Sequence, residues 1–314
     1  MNPLSRIYGA AGALRNSLFD HGILGVRRLE RPVVSVGNLS VGGAGKTPFV
    51  IALGELLKAR GVSFDVLSRG YGRKSRGVLV VDPEGRADSF GDESLLIARK
   101  LGVPVVVGES RYEAGRVAEE RFPSQLHILD DGFQHRSLAR DFDIVLLAES
   151  DADDRLLPAG RLREPLTALA RADATVLPVD LPANSAFEAN PALRGKLVWR
   201  TKRIMSLSAA PKSPVVFCGI ARPGQFFAQV RAEGVLPVSE VEFRDHHAYN
   251  RRDIELLLKT HAKKGADGFL TTEKDAVNLG RLRSELNPLA VATLSVSFDN
   301  PADVLDTILR GIGV

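Results

Sequence analysis

Cysteine is nearly absent: the 314-residue chain holds one, Cys218. A single thiol excludes an intramolecular disulfide and a cysteine-cluster metal site. Its place in the apolar run Val215-Val216-Phe217-Cys218 reads as a small buried hydrophobe, and a reducing, cytosolic environment is expected. Long hydrophobic runs are missing too. No stretch reaches the ~20 apolar residues of a membrane-spanning helix. The N-terminus lacks a basic segment followed by a continuous apolar core, so no signal peptide is expected. Aromatic residues make up only 6%, with one Trp, and no aromatic-rich basic repeat is present. Nucleic-acid binding is therefore not expected. Neither a solenoid repeat nor a low-complexity tail occurs. Charge of either sign is balanced, 42 basic against 38 acidic residues for a net +4 and a pI near 9.3. That mild excess suits an anionic ligand or a membrane surface.

What is present begins with Ser40-Val41-Gly42-Gly43-Ala44-Gly45-Lys46-Thr47. The stretch follows the apolar run Pro32–Val36 and precedes a helical pattern. Strand, glycine-rich turn, Lys-Thr, helix is the layout of a nucleoside-triphosphate site. Backbone N–H groups of the turn cradle phosphates and the helix N-terminus adds positive potential. Lys46 would reach the β- and γ-phosphates, and the Thr47 hydroxyl would ligate Mg²⁺. Ser40 stands where the usual pattern has glycine; Gly42, Gly43 and Gly45 keep the turn free to adopt positive φ.

A length of 314 residues suggests two domains. The first two thirds alternate strand and helix. Helices are expected at Pro48–Arg60, Asp92–Leu101 and Tyr112–Arg121. Strands are expected at Phe64–Ser68, Val78–Val81, Val103–Val107, Leu126–Leu129, Ile144–Leu147 and Thr175–Val179. This predicts an α/β fold of P-loop NTPase type, a mostly parallel sheet with helices on both faces. Residues 181–213 lose the pattern and read as a linker with a short strand at Leu197–Trp199. A smaller α/β unit follows, with strands near Val215–Gly219, Val235–Phe243, Gly268–Thr271 and Leu289–Val296. Its helices lie near Gln225–Glu233, Arg252–Lys264 and Pro301–Leu309. The boundaries are drawn at 1–200, a linker 201–213, and 214–314 closing over the site. At the N-terminus Leu4, Ile7, Tyr8, Ala11, Leu14 and Leu18 recur at helical spacing. Such a helix either lies in a membrane interface, with Arg6 and Arg15 near anionic lipid, or packs on the domain.

Leu126–Leu129 ends in Asp130-Asp131-Gly132, where a Mg²⁺-binding carboxylate belongs beside a phosphate loop. Gln134 and His135 follow on the same loop. Val80–Gly85 also sets a strand before Asp-x-x-Gly, but Asp82-Pro83 and Gly85 are turn formers. No guanine-reading motif accompanies them, since Thr272-Glu273-Lys274-Asp275 has the wrong spacing. Asp92, after Gly91, reads either as a helix cap or as a general base for a hydroxyl acceptor. Asp245-His246-His247 has no cysteine or further histidine nearby to make a zinc site. Arginines cluster at Arg69, Arg73 and Arg76, at Arg111, and at Arg155, Arg161 and Arg163. Those after the strand ending at Ser68 sit where α/β sheets bind ligands, and arginine forks suit phosphate.

Together, Gly37-Asn38-Leu39-Ser40-Val41-Gly42-Gly43-Ala44-Gly45-Lys46-Thr47-Pro48 resembles the signature of the tetraacyldisaccharide 4′-kinases, the lipid A 4′-kinases, whose loop carries Ser or Thr at position 40. Ser68–Arg73, Gly91–Glu93, Asp130–His135, Gly160–Pro165, Asp245–His247 and Thr272–Asp275 resemble further blocks of that family, in order, across about 40 through 275. The resemblance implies transfer of the ATP γ-phosphate to the 4′-hydroxyl of a lipid A disaccharide 1-phosphate, with Mg²⁺, on the cytoplasmic face of an inner membrane. By motif match Gly42, Gly43, Ala44, Gly45, Lys46 and Thr47 hold the nucleotide, and Thr47, Asp130 and Asp131 hold Mg²⁺. Asp92 matches the base. One histidine of the pair matches its partner, with His247 favoured and His246 left to the substrate beside Arg69, Arg111, Gln134 and Glu164. The N-terminal helix then becomes the contact to the inner-membrane surface, and no obligate protein partner is expected. A soluble kinase for a small sugar or nucleoside and a GTPase-like switch are the competing readings. Activity without lipid would mark the first, guanine preference the second.

Overall fold

A computed structural model describes residues 3–181, 187 and 190–314. An N-terminal helix α1 (Pro3–Asp20) precedes β1 (Val33–Asn38), α2 (Lys46–Ala59), β2 (Phe64–Ser68), β3 (Leu79–Val80), α3 (Ala87–Phe90) and α4 (Asp92–Leu101). Then come β4 (Val105–Val107), α5 (Arg111–Arg121), β5 (Leu126–Asp130), β6 (Phe142–Leu146), β7 (Ala174–Pro178) and β8 (Leu197–Ser206). The C-terminal part carries β9 (Val215–Cys218), α6 (Pro223–Ala232), β10 (Ser239–Glu242), α7 (Arg251–Lys264), β11 (Phe269–Thr272), α8 (Glu273–Leu279), β12 (Leu289–Phe298) and α9 (Pro301–Ile312).

The strands form one sheet of order β10-β9-β11-β12-β8-β7-β6-β1-β5-β2-β4-β3. All pairs are parallel except β12–β8 and β3–β4. Parallel strands covered on both faces read as continuous apolar runs whose alternate residues enter different cores. Val34, Val66 and Ile128 face α2, α4 and α9. Val33, Leu67 and Leu129 face α5 on the other side. The C-terminal strands repeat this: Val215 and Phe217 pack on α7, while Val216 and Cys218 pack on α6. Cys218 is fully buried, and burial pushes its thiol far above the ordinary range.

The expected linker at 181–213 is corrected in part. Residues 182–186 and 188–189 lie outside the described set, but Leu197–Ser206 is a ten-residue strand. Leu197–Thr201 pairs with β7, and Thr201–Ser206 pairs antiparallel with Phe298–Thr293 of β12. The first residues of β12, Leu289–Ala292, pair instead with β11. Two long strands therefore each serve two neighbours and join the parallel units through an antiparallel ribbon. Only Leu197–Trp199 forms an apolar run; Lys202, Arg203 and Ser206 in the second half are exposed, so no apolar run announces that half. The strand expected at Val235–Phe243 shrinks to Ser239–Glu242, and α2 starts two residues earlier than Pro48.

Candidate active site

The phosphate loop leaves β1 and enters α2 through left-handed backbone at Gly42, Gly43 and Gly45 (φ 75°, 64° and 82°). Gly45 caps α2 without any side-chain acceptor, so the first N–H groups of the helix remain available to an anion. The loop's start is tied down by Gly160–Glu164: Val41 N–H donates to Arg161 O (2.8 Å) and Arg163 N–H to Leu39 O (2.6 Å). Lys46 Nζ donates to Asn38 Oδ1 at 2.9 Å and lies 3.4 Å from Asp131 Oδ1.

Asp130 ends β5, one strand from the loop, because β5 pairs in register with β1 at Val36↔Asp130. Its Oδ2 accepts from Ser68 Oγ at 3.1 Å, whereas Oδ1 is buried with no hydrogen-bond partner. Burial, with Glu93 and Asp131 nearby, pushes its carboxyl up to about 7. Asp131 behaves oppositely. Burial opposes its charge, but Lys46 and the two-pronged Arg163 fork (2.9 and 3.1 Å) outweigh it and hold the carboxyl far below the usual range. Thr47, Asp130 and Asp131 offer only oxygen donors, which suits Mg²⁺. No group of three or more His, Cys, Asp or Glu side chains able to hold a metal occurs among the described residues.

These residues line a cavity of about 770 Å³ shared by both halves of the sheet. Arg69, Arg111, Gln134 and His135 face it from the N-terminal half, and Arg203, Arg222, His246 and Lys274 from the C-terminal half. Around His135 positive charge dominates. Burial together with Arg111, Arg140, Arg15 and Arg69 pushes His135 down to about 4.

Opposite the loop, Gly91 turns the chain into α4 at φ 87°, against Tyr71 O, where a Cβ would come within 2.8 Å. Asp92 is therefore the first residue of α4 and not its cap, and it is 3% exposed. It lies directly behind the wall formed by Glu93 and His246. Its Oδ1 accepts from Glu93 N–H (2.8 Å), its Oδ2 from Asn278 Nδ2 (2.9 Å), and His246 Nδ1 spans both oxygens at 2.9 and 3.1 Å. Burial opposes the charge, but His246, Lys274 and Asn278 hold the carboxyl below the ordinary range. Burial also disfavours the His246 imidazolium, and Asp92 more than offsets this, so His246 is raised.

Two sequence expectations change here. The histidine on Asp92 is His246, not His247. His246 has φ 56°, which turns adjacent side chains apart; His247 Nε2 meets Asp253 Oδ2 at 2.9 Å and stacks on Phe243. Glu164 does not face the cavity. It is buried and accepts from Asn16 Nδ2 (2.7 Å) and Arg171 (2.8 Å), tying α1 to the body. Sequence reasoning missed Arg203, which donates to the carbonyls of Gly43 and Ala44, because it lies in the supposed linker. Arg222 and Asn278 carried no local signal, and Lys274 was quoted only within its motif.

Comparison with known proteins gives one direction. The family model described as tetraacyldisaccharide-1-P 4′-kinase matches residues 1–312. A tetraacyldisaccharide 4′-kinase of Koribacter versatilis is 49% identical over 320 residues, covering 99% of this chain and 98% of that one. One from Aquifex aeolicus is 38% identical, covering 88% of each. A crystal structure of the "apo" form of LpxK from Aquifex aeolicus in complex with ATP superposes at a TM-score of 0.79 with 34% identity, covering 99% of this chain and 98% of that one.

Proposed function

The chain belongs to the tetraacyldisaccharide-1-P 4′-kinase family, and from that membership we infer its reaction. It is an ATP-dependent kinase of lipid A biosynthesis that phosphorylates the 4′-hydroxyl of a tetraacyldisaccharide 1-phosphate. The observation that carries the reading at the level of the site is the shared cavity, with a phosphate loop on one wall and Asp92, backed by His246, behind the other.

In the reading that follows, the 4′-oxygen attacks the γ-phosphorus, the bond from that phosphorus to the β–γ bridging oxygen breaks, and ADP leaves. Asp92 takes the hydroxyl proton. Three donors engage both oxygens of its carboxylate and favour the ionised form that can accept a proton. Glycine-loop N–H groups and Lys46 hold the β- and γ-phosphates. Thr47, Asp130 and Asp131 would hold Mg²⁺, which neutralises phosphate charge when bound. Arg69, Arg111 and Gln134 face the acceptor, and residues 214–314 close over the loop.

Lipid substrate implies a membrane surface. No described helix is long and apolar enough to cross a membrane. We assign peripheral contact with the cytoplasmic face of the inner membrane to α1. That helix is anchored by Ser5, Asn16 and Asp20 yet leaves Leu4, Ile7 and Leu14 more than half exposed. The test is transfer of labelled γ-phosphate from ATP to lipid A disaccharide 1-phosphate in mixed micelles, with GTP in parallel. Mg²⁺-dependent product from ATP is expected. No product from a chain that binds nucleotide would overturn the acceptor.

A further inference from the structure

The reaction so described leaves Lys274 without a task. It sits in the first turn of α8, whose N-terminus is set by the Thr272 side chain accepting from Asp275 N–H at 3.1 Å. Its side chain is only 16% exposed. Nζ lies 3.0 Å from His246 Nε2, 3.3 Å from Asp245 Oδ1, 3.6 Å from Glu93 Oε1 and 3.9 Å from Asp92 Oδ2. One turn further along the same helix, Asn278 donates to Asp92.

An ammonium has three donors and no acceptor. Contact at 3.0 Å therefore requires a lone pair on Nε2. The ring proton is then on Nδ1, the nitrogen that faces both oxygens of Asp92. A second proton on Nε2 would set an N–H against the ammonium and break the contact. We propose that Lys274 is a positioning residue: by donating to Nε2 it fixes His246 as the Nδ1–H tautomer aimed at Asp92 and opposes formation of the imidazolium.

The surroundings agree. Asp92 and Glu93 face His246 and Lys274 from α4, Asp245 precedes the histidine, and the Tyr71 ring lies on the imidazole at 4.7 Å. Burial works against the Lys274 charge, but Glu93, Asp92 and Asp245 hold it above the ordinary lysine range, so the donor stays protonated. Without it, Nε2 is left facing Asp245 Oδ1 at 3.9 Å, and Asp92 and Asp245 together draw a second proton onto the ring. An imidazolium would compete with the acceptor hydroxyl for the carboxylate. This catalytic consequence rests on Asp92 being the base; the tautomer assignment does not.

The test uses the full chain labelled with ¹⁵N-histidine, the six histidines being sorted with H246N. Imidazole ¹⁵N shifts are followed against pH in wild type, K274M and K274R, beside pH profiles of kcat. At about pH 8.5, above the ordinary histidine range, wild-type His246 should be the Nδ1–H tautomer. In K274M the His246 midpoint should rise by about one pH unit, the size of shift one neighbouring charge causes, and the acid limb of kcat should move with it. K274R, which keeps a cationic donor, should restore both. Should K274M fail to fold, K274Q takes its place, since it also removes the charge. An unchanged midpoint and tautomer overturn the proposal. A wild-type protein that phosphorylates no lipid overturns the kinase reading instead, and the ¹⁵N spectra still decide the tautomer.

Discussion

His246 Nδ1 lies 2.9 Å from Asp92 Oδ2 although 154 positions separate them in the chain. His247, the next residue, turns away and bonds Asp253. The two histidines therefore predict different variant phenotypes.

His246→Ala should lower kcat by about 10²-fold, the lower end of what proton-transfer groups contribute, with a cost in stability that depends on pH. His247→Ala removes a partner of the Asp253 carboxylate and a ring packed on Phe243 and Tyr249. It should destabilise by about 1–3 kcal/mol and leave kcat near wild type. Paired kcat measurements and urea midpoints separate the cases; the reverse pattern would return the catalytic partnership to His247.

The Asp92–His246 pair also gives stability a pH signature. Asp92 is lowered in the fold, so its contribution is present above the unfolded value, about 3.9, and is lost as pH falls through the folded one. His246 is raised, so its contribution is complete below about 6.5 and is lost as pH rises through the folded value. The stability difference between wild type and H246A should peak between these limits, near about pH 5. Urea unfolding at acid, intermediate and alkaline pH checks this, and a flat difference would refute the linkage.

Thr47→Ala should weaken ATP binding about tenfold when Mg²⁺ is present and little when it is absent, if the hydroxyl is a ligand of the ion. Asp131→Asn should behave differently, because it also releases Lys46 and Arg163. Calorimetric titration with and without Mg²⁺ distinguishes them. Equal loss under both conditions for Thr47→Ala would remove it from the ion's shell.

Deleting α1 is a poor test of membrane contact, because it strips Asn16 from Glu164 and Asp20 from Arg136. Leu4→Ser, Ile7→Ser and Leu14→Ser combined is cleaner. These side chains are 60%, 66% and 62% exposed, so thermal stability should hold. Each contributes up to about 1.5–3 kcal/mol when fully buried, so vesicle partitioning should fall at least tenfold. Unchanged sedimentation with vesicles would place the contact elsewhere.

Much of the site was legible because local chemistry dictates it. Gly42, Gly43 and Gly45 declare positive φ, Lys46-Thr47 opens a helix, and Asp130-Asp131 ends an apolar strand; each signal lies within a few residues of the group it positions. The alternation of Val33 and Val34, or of Leu67 and Val66, between two cores likewise follows from strand periodicity. What one residue's backbone does was not legible. His246 adopts φ 56°, and that turn alone decides which of two neighbouring imidazoles reaches Asp92. Glu164 shows the same limit: its motif neighbour Arg163 enters the site while it turns back to hold α1.

The sequence by itself determined the α/β class, the phosphate loop and the acidic strand end, because hydrophobic period and glycine conformation act over short distances. Only the tertiary structure decided that β8 and β12 form the ribbon joining the two units, and that Arg203, Lys274 and Asn278 meet the loop or Asp92. Strand pairing joins β8 and β12 across 87 to 97 positions, and Asn278 meets Asp92 across 186; such partners are chosen by the packed sheet rather than by neighbours in the chain.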